Sequence, residues 1–271
     1  MGQVVHTLTE GLPVKGVTSL AGDIYVLRPK EHDQVEVYDV MTQRLKRCLS
    51  VPNARGYNDM RSCEHYRCIY ISDHNAENIH RLDAQGAATQ WPVNDRPAGL
   101  SVNTQCNLLV TCYKARNIKE FTTDGHIVRT VCLPGDIIKP WHTVQTRSGQ
   151  FIVCHGWVDD AVHRVCMLSA DGRHIVHSHG GQKGSHTDQY NVPSRLAVDN
   201  DECVFVVDGN NRRVTLLSPT LRYIRQVVSR DHLKWGPTRV FLDVERKYLY
   251  VADNKFKDGK YTAGRVVVFS V

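Results

Sequence analysis

The sequence predicts an all-β fold, a six-bladed β-propeller with four-stranded blades that forms one domain over residues 1–271. Three observations predict it: an apolar segment recurs six times, further strand-like segments accompany the copies, and one strand is left over at the N-terminus. The recurring segments read YVLR, YISD, LVTC, IVCH, FVVD and YVAD, and they begin at Tyr25, Tyr70, Leu109, Ile152, Phe205 and Tyr250. Their intervals of 45, 39, 43, 53 and 45 residues are typical of propeller blades.

Other strands surround each recurring segment. An apolar strand follows every copy, in the forms QVEVYD, NIHRLD, NIKEFT, RVCMLS, RVTLLS and RVVVFS. Most copies are preceded by another strand, and several of these start directly after a proline, as at Pro97, Pro140, Pro193 and Pro237. A fourth, more polar strand, such as HIVRTVCL or YIRQVV, ends most units. Four short strands in each of six units predict four-stranded blades.

The two ends of the sequence predict how the ring closes. The sixth unit stops at Val271 after its third strand, and the unassigned strand QVVHTL occupies residues Gln3 to Leu8. We expect this strand to become the outer strand of the sixth blade, because that pairing removes two exposed sheet edges. We also expect a monomeric domain that belongs to a longer protein, since the ring closes without any linker.

Composition is that of an ordinary globular protein, with 41% hydrophobic and 23% charged residues. Lys plus Arg exceed Asp plus Glu by 34 − 28 = 6, an excess compatible with an anionic partner. No apolar run is long enough to cross a bilayer, and the N-terminus lacks a secretory signal, so we expect a cytoplasmic protein without a membrane partner. The nine cysteines contain no CxxC pair and fit free thiols in a reducing compartment.

The repeats resemble NHL repeats. The fifth unit, PSRLAVD followed by VFVVDGNNRRVTLLS, is similar to the NHL pattern, and the third and sixth units are similar to it as well. Units one, two and four are degenerate, since Arg28 and His155 replace the expected Asp and RGYNDMRS lacks the proline. The chain as a whole resembles the C-terminal NHL domain of tripartite-motif proteins.

This resemblance implies a recognition domain that is not an enzyme and has no cofactor. In tripartite-motif proteins a separate RING domain supplies ubiquitin-ligase activity, and this sequence contains no RING, B-box or coiled coil. Some members bind single-stranded or stem-loop RNA through a basic propeller face. We therefore expect RNA to be the partner, with the domain serving as the targeting part of a larger protein. A protein ligand, either a substrate or an adaptor, is the alternative.

The candidate binding residues lie on one face of the predicted ring. Loops that join second to third strands share a face with the loops between blades, around one mouth of the central channel. Arg195 and Arg239 each begin an innermost strand two residues after a proline, and His142 is their counterpart in the fourth unit. The remaining candidates for contacts with RNA or a partner are residues of the same face: Arg28, Lys30, Arg96, Tyr113, Lys114, Arg116, Lys139, Trp141, Lys183, Arg212 and Lys255.

Basic and aromatic side chains around a concave centre suit a phosphate backbone and unstacked bases. The same composition is also typical of solvated loops, which are polar in any protein. The Asp that ends the recurring segment, at Asp73, Asp208 and Asp253, has a structural interpretation. Such a carboxylate accepts hydrogen bonds from loop amides and pairs with the Arg that follows, as Arg213 follows Asp208.

Enzymatic alternatives require metal ligands that the sequence lacks. The amidating lyase resembles NHL propellers and binds zinc through histidines after the prolines of first strands, but here Ala98, Trp141, Ser194 and Thr238 follow those prolines. Lactonase-type propellers hold a channel calcium, for which this sequence offers only Asp59 and the corner aspartates. The histidines of the fourth unit do not fix a converging ligand set. We therefore predict no catalytic residues and no metal.

Overall fold

Six antiparallel four-stranded sheets form a ring, which confirms the predicted six-bladed β-propeller. The structure is a computed structural model that describes residues 2–29 and 34–271. Apolar and β-branched residues dominate the first three strands of each blade, because these strands are covered on both faces by neighbouring blades. Helical structure within the described ranges is confined to one 3₁₀ turn at Arg230–His232, and nothing helical there is long and apolar enough to cross a membrane.

The strands follow one another in blade order. The N-terminal strand is β1 (Gln3–Gly11). The first two blades are β2 (Gly16–Leu20), β3 (Asp23–Arg28), β4 (Gln34–Asp39), β5 (Leu45–Ser50), then β6 (Tyr57–Cys63), β7 (Cys68–Asp73), β8 (Asn78–Asp83), β9 (Ala88–Pro92). The third and fourth are β10 (Pro97–Val102), β11 (Leu108–Cys112), β12 (Asn117–Phe121), β13 (Ile127–Cys132), then β14 (Pro140–Gln145), β15 (Phe151–His155), β16 (Val162–Leu168), β17 (Ile175–Gln182). The last two are β18 (Pro193–Val198), β19 (Val204–Asp208), β20 (Arg213–Leu217), β21 (Tyr223–Val228), then β22 (Gly236–Asp243), β23 (Tyr248–Lys257), β24 (Lys260–Ser270).

The ring closes through the N-terminal strand, as predicted. β1 pairs antiparallel with β24, with Gln3 opposite Ser270 and Gly11 opposite Gly264. The sixth sheet therefore has the order β1–β24–β23–β22, and its outer strand comes from the other end of the chain. β1 is longer than the predicted segment, because β24 extends far enough to pair with it as far as Gly11.

The core consists of six apolar clusters, one between each pair of neighbouring blades. Phe205 of the fifth blade and Phe269 of the sixth lie in one cluster, and Tyr70 and Leu108 join the second blade to the third. The sixth and first blades share another cluster, so apolar packing runs around the whole ring. Continuous burial of this kind holds the innermost strands in a fixed arrangement around the central channel.

Buried aspartates hold the loops of the predicted binding face. The Asp208 carboxylate accepts hydrogen bonds from the Asn191 amide at 2.7 Å and from Arg213 Nε at 2.7 Å. Asp253 has the same arrangement, with Arg265 Nε at 2.8 Å and the Lys234 amide at 2.7 Å. The structure thus confirms the predicted Asp–Arg corner in the fifth and sixth blades, where it ties the second-to-third loop to the preceding blade connection. At Asp73 the predicted Arg is replaced by His80, whose Nε2 lies 3.5 Å from the carboxylate.

Candidate functional site at the channel mouth

One position of the repeat places one residue from each blade around the channel axis. In five blades a bulge at the start of the innermost strand shifts the register just before this position, which redirects its side chain. The position lies two residues after a proline in every blade except the second, where Tyr57 replaces the proline. Its six occupants, which we call the axial ring, are Lys15, Asp59, Gly99, His142, Arg195 and Arg239.

Asp59 is the single carboxylate of the axial ring. Its oxygens lie 3.4 Å from Arg195 Nε and 3.6 Å from Arg239 Nε, and Oδ2 accepts a hydrogen bond from the Leu100 amide at 2.9 Å. All three charged side chains are buried, with exposures of 4%, 3% and 8% for Asp59, Arg195 and Arg239. Burial by itself raises the pKa of Asp59, but the two guanidinium charges outweigh burial and hold that pKa below its ordinary value.

The two arginines also bridge blades through backbone carbonyls. Arg195 Nη2 donates to the carbonyls of Asn58 and Ala98 at 3.3 and 3.0 Å. Arg239 Nε donates to the Lys15 carbonyl at 2.8 Å, and its Nη2 also donates to the Asn58 carbonyl. These bonds join the fifth and sixth blades to the first three, and they cross the channel just below its mouth. The arginines predicted to contact a ligand are therefore, in the first place, part of the ring's architecture.

His142 completes the buried centre in its neutral form. Its Nε2 lies 2.9 Å from the Leu100 carbonyl, and burial lowers the pKa of His142 to about 4. The neighbouring ring position is Gly99, where a Cβ atom would lie 2.6 Å from His142 Cδ2 and 2.5 Å from the Trp141 carbonyl oxygen. Glycine at this position leaves the space that the His142 ring occupies.

A cavity of about 590 Å³ lies above the axial ring, and we call it the mouth pocket. Its floor includes Arg195, Arg239 and Asn58, and its walls come from the loops that the repeat predicted to surround this mouth. Six cationic residues line it: Lys15, Arg195, Arg212, Lys234, Arg239 and Lys255. The described part of the chain contributes no Asp or Glu to the lining. The pocket volume is within the usual range for small-ligand sites.

Lys15 stands out among these cations. Its Nζ lies 4.9 Å from the centre of the Tyr261 ring, and the side chain is half-buried. Burial, together with the charges of Arg239 and Arg195, lowers the pKa of Lys15 to about 8. Lys234, by contrast, pairs with Glu10 at 2.5 Å, and Arg212 Nη2 donates to the Leu233 carbonyl at 2.8 Å.

Aromatic rings form one side of the mouth pocket. The ring centres of Tyr113 and Trp141 are 5.2 Å apart, and those of Trp141 and Trp157 are 4.5 Å apart. Trp141 and Trp157 line the pocket, and Tyr113 packs behind them. Other aromatic side chains that line the pocket are Trp235, Phe256 and Tyr261.

Among the residues predicted from the sequence, the pocket brings together Arg195, Arg239, Trp141, Arg212 and Lys255. His142 lies in the axial ring below it. Arg28 is buried instead in the first blade, where its Nε lies 2.7 Å from Glu36 Oε2 and its Nη1 donates to the Leu12 carbonyl. Arg28 occupies the position of the corner Asp, so the corner cation comes from β3 and its carboxylate partner, Glu36, from β4. Lys30 lies outside the described residues.

The other predicted cations lie outside the pocket, and most have a partner of their own. Lys114 pairs with Glu77 at 3.1 Å, and Lys139 pairs with Asp160 at 2.8 Å. Exposed cations complete this set: Arg96, Arg116, which donates to the Gly135 carbonyl at 3.4 Å, and Lys183, which donates to the Val158 carbonyl at 2.8 Å. The basic face is thus less continuous than the sequence suggests, because Lys114 and Lys139 are neutralised by carboxylates, whereas Arg96, Arg116 and Lys183 have no carboxylate partner among the described residues.

Lys15 was not among the binding residues predicted from the sequence, and Asp59 was considered only as a metal ligand. The spacing Pro13–Val14–Lys15 repeats that of Pro193 to Arg195, so the position two residues after the proline could have identified Lys15. Nothing in the second unit marks Asp59 as the partner of two arginines. Within residues 2–29 and 34–271 no three His, Cys, Asp or Glu side chains are arranged to hold a metal ion, and all nine cysteines are free.

Comparison with known proteins identifies the fold. No protein-family model and no curated protein matches the chain. A streptogramin B lyase structure is similar, with a TM-score of 0.65 at 12% identity, covering 99% of this chain and 96% of that chain. A catalytically inactive virginiamycin B lyase variant from Staphylococcus aureus, with quinupristin, has a TM-score of 0.65 at 11% identity, covering 100% and 98%. Hydrazine synthase from Kuenenia stuttgartiensis has a TM-score of 0.65 at 14% identity, covering 93% and 77%. The chain is a six-bladed β-propeller.

These similarities correct one prediction. The conclusion that the chain is not an enzyme is wrong as an inference from the fold, because two of the similar propellers are lyases. Catalysis depends on the side chains that a propeller carries at its channel mouth, so lacking one family's metal ligands does not make a propeller inert. The resemblance to NHL repeats and to tripartite-motif proteins finds no match among family models and stays a prediction.

Proposed function

We propose that the chain binds single-stranded RNA at the mouth pocket, with an unstacked nucleotide inserted among its cationic and aromatic side chains. One observation carries the proposal: six cationic and five aromatic residues line a single cavity of about 590 Å³. Single-stranded nucleic acids are bound in this way, by a positive groove for the backbone and aromatic rings for the bases.

The distribution of charge favours insertion of a nucleotide over a long backbone contact. Lys114 and Lys139 are paired with Glu77 and Asp160, so two of the five outer cations of the face are already neutralised by carboxylates. Lys255 is exposed at the edge of the pocket, where it is accessible to an entering phosphate. The expected complex therefore has few phosphate contacts and a moderate dependence on salt.

Stacking supplies the rest of the binding energy. Trp157 is half-buried on a second-to-third loop, with its ring against Trp141 and one part facing the cavity. A base that inserts beside it gains about 1–3 kcal/mol from stacking on an aromatic ring. Trp141 Nε1 is buried and has no hydrogen-bond acceptor within the described residues.

Fluorescence anisotropy with a labelled single-stranded RNA panel tests the proposal. Trp157→Ala should weaken binding roughly 5- to 150-fold, and Lys255→Gln should reduce the slope of log affinity against log salt by about 0.7. Tyr66→Ala and Lys247→Gln are matched controls, because both residues are exposed in first-to-second strand turns on the opposite face. Unchanged binding by Trp157→Ala, or no binding to any RNA at low salt, overturns the proposal, and in the second case a protein ligand becomes the better hypothesis.

A further inference from the structure

The axial ring closes the channel under the mouth pocket. Arg195 and Arg239 both donate to the Asn58 carbonyl, and they reach Ala98 and Lys15 on either side of it. Asp59 lies between the two guanidinium groups. A strand that enters the pocket therefore meets a floor of bonded side chains, and it cannot continue down the channel. A closed floor suits the end of a ligand.

The floor carries a net positive charge that the protein does not neutralise. Lys15, Arg195 and Arg239 supply three positive charges and Asp59 one negative charge, which gives 3 − 1 = +2. The neighbouring His142 is neutral. A phosphomonoester at the end of a chain carries about −1.5 to −2 at pH 7, whereas an internal phosphodiester carries one negative charge. The charge of the floor is thus matched by a terminal phosphate and only half matched by an internal one.

The floor also has hydrogen-bond donors without an acceptor among the described residues. Nη1 of Arg195 makes one hydrogen bond, to the Ser194 carbonyl, and Nη1 of Arg239 makes one, to the Thr238 carbonyl. Each Nη1 carries two N–H groups, so one on each arginine has no acceptor within the described residues. The Lys15 ammonium group lies over the Tyr261 ring. Three cationic side chains from three blades therefore line the same pocket, and a phosphomonoester offers three acceptor oxygens to such donors.

We propose that the floor of the mouth pocket, formed by Lys15, Arg195 and Arg239, binds a terminal phosphomonoester. The inference rests on the proposed function in one respect, namely that the molecule carrying the phosphate is RNA. A mononucleotide and the phosphorylated end of an RNA strand offer the same group, and both are included in the test.

The experiment compares one RNA sequence with a 5′-phosphate, a 3′-phosphate or hydroxyl groups at both ends. Nucleoside monophosphate and unphosphorylated nucleoside serve as small probes. A phosphorylated end should bind at least about tenfold more tightly than the hydroxyl form, as expected for added charge-assisted hydrogen bonds. Lys15→Gln should weaken binding of the phosphorylated forms much more than binding of the hydroxyl form, so that most of this preference is lost. Lys255→Gln, which removes a charge at the rim, should weaken all RNA forms by the same factor.

Proton uptake gives a second measurement. Calorimetry at pH 8 in two buffers of different ionisation enthalpy should show uptake when a phosphate binds, because a dianion beside Lys15 favours its protonated form. The groups facing Lys15 are Arg195, Arg239 and Tyr261. The uptake should vanish in Lys15→Gln, which retains the fold because it removes one of three mutually repelling cations.

The outcomes separate this inference from the proposed function. Equal binding of phosphorylated and hydroxyl RNA overturns the terminal phosphate site and leaves RNA binding intact. Binding of the monophosphate without binding of any RNA supports the phosphate site and overturns the proposed function. If neither the monophosphate nor any RNA binds, both are wrong.

Discussion

Removing the carboxylate of Asp59 should destabilise the whole ring. Asp59→Asn retains the shape of the side chain but leaves Arg195 and Arg239 buried without an anion. At separations of 3.4 and 3.6 Å, each pair is worth about 5 kcal/mol in gross Coulomb energy at an effective dielectric constant near 20. Desolvation of the ions offsets much of this, and breaking a buried pair typically costs about 3–5 kcal/mol. For a domain of this size, that loss lowers the melting temperature by roughly 10 °C.

Thermal and urea unfolding, followed by circular dichroism, measure the effect. Glu77→Gln is the matched control, because it neutralises the carboxylate of an exposed ion pair with Lys114 at 3.1 Å and should cost less than about 1 kcal/mol. Adding Arg195→Met to Asp59→Asn should recover part of the stability, since one uncompensated charge is removed. If Asp59→Asn is no more destabilising than Glu77→Gln, the axial ring does not hold the blades as argued.

Three further predictions concern the same ring and its closure. Burial lowers the pKa of both His142 and His155 to about 4, so between pH 6.5 and pH 4 the unfolded chain binds more protons than the folded chain. The free energy of unfolding should therefore decrease as the pH falls through that window, by about 3 kcal/mol for each histidine. Equal urea midpoints at pH 7 and pH 5 would contradict this. Gly99→Ala should cost about 1–3 kcal/mol through contact with the His142 ring, whereas Gly135→Ala, where a Cβ atom meets nothing within 4 Å, should cost much less in the same assay. Deleting residues 1–11 removes β1 and leaves an edge of β24 unpaired, so the truncated chain should unfold earlier and self-associate in light scattering; a monomer of full stability would show that β1 is dispensable.

The fold could be predicted because each blade repeats one local pattern. Tyr25, Tyr70 and Tyr250 are the third residues of equivalent strands in three blades, and the same spacing between strands recurs in blades whose corner residues differ. Short apolar runs and the turn residues between them act locally, so the sequence of one unit specifies one sheet. The closure by β1 followed from counting strands, since the sixth unit was one short.

The site was only partly predictable, because its meaning depends on residues far apart in sequence. Their position two residues after a proline predicted that Arg195 and Arg239 lie at the channel mouth, and in the structure they line the mouth pocket. Their burial depends on Asp59, which lies 136 positions before Arg195 and belongs to a degenerate unit. A repeat shows which residues occupy equivalent positions around the channel, but it does not show which of these residues form ion pairs with one another.

The balance of charge in the axial ring argues for a binding role beside the structural one. If the ring served stability alone, equal numbers of cations and carboxylates would hold the blades better than three cations and one carboxylate. The excess has a cost at Lys15, whose pKa is lowered to about 8 by burial and, in addition, by the charges of Arg239 and Arg195. Departures of this kind from the most stable arrangement are expected at functional sites. An anion in the mouth pocket relieves the repulsion, so a ligand of the right charge should stabilise the fold as it binds.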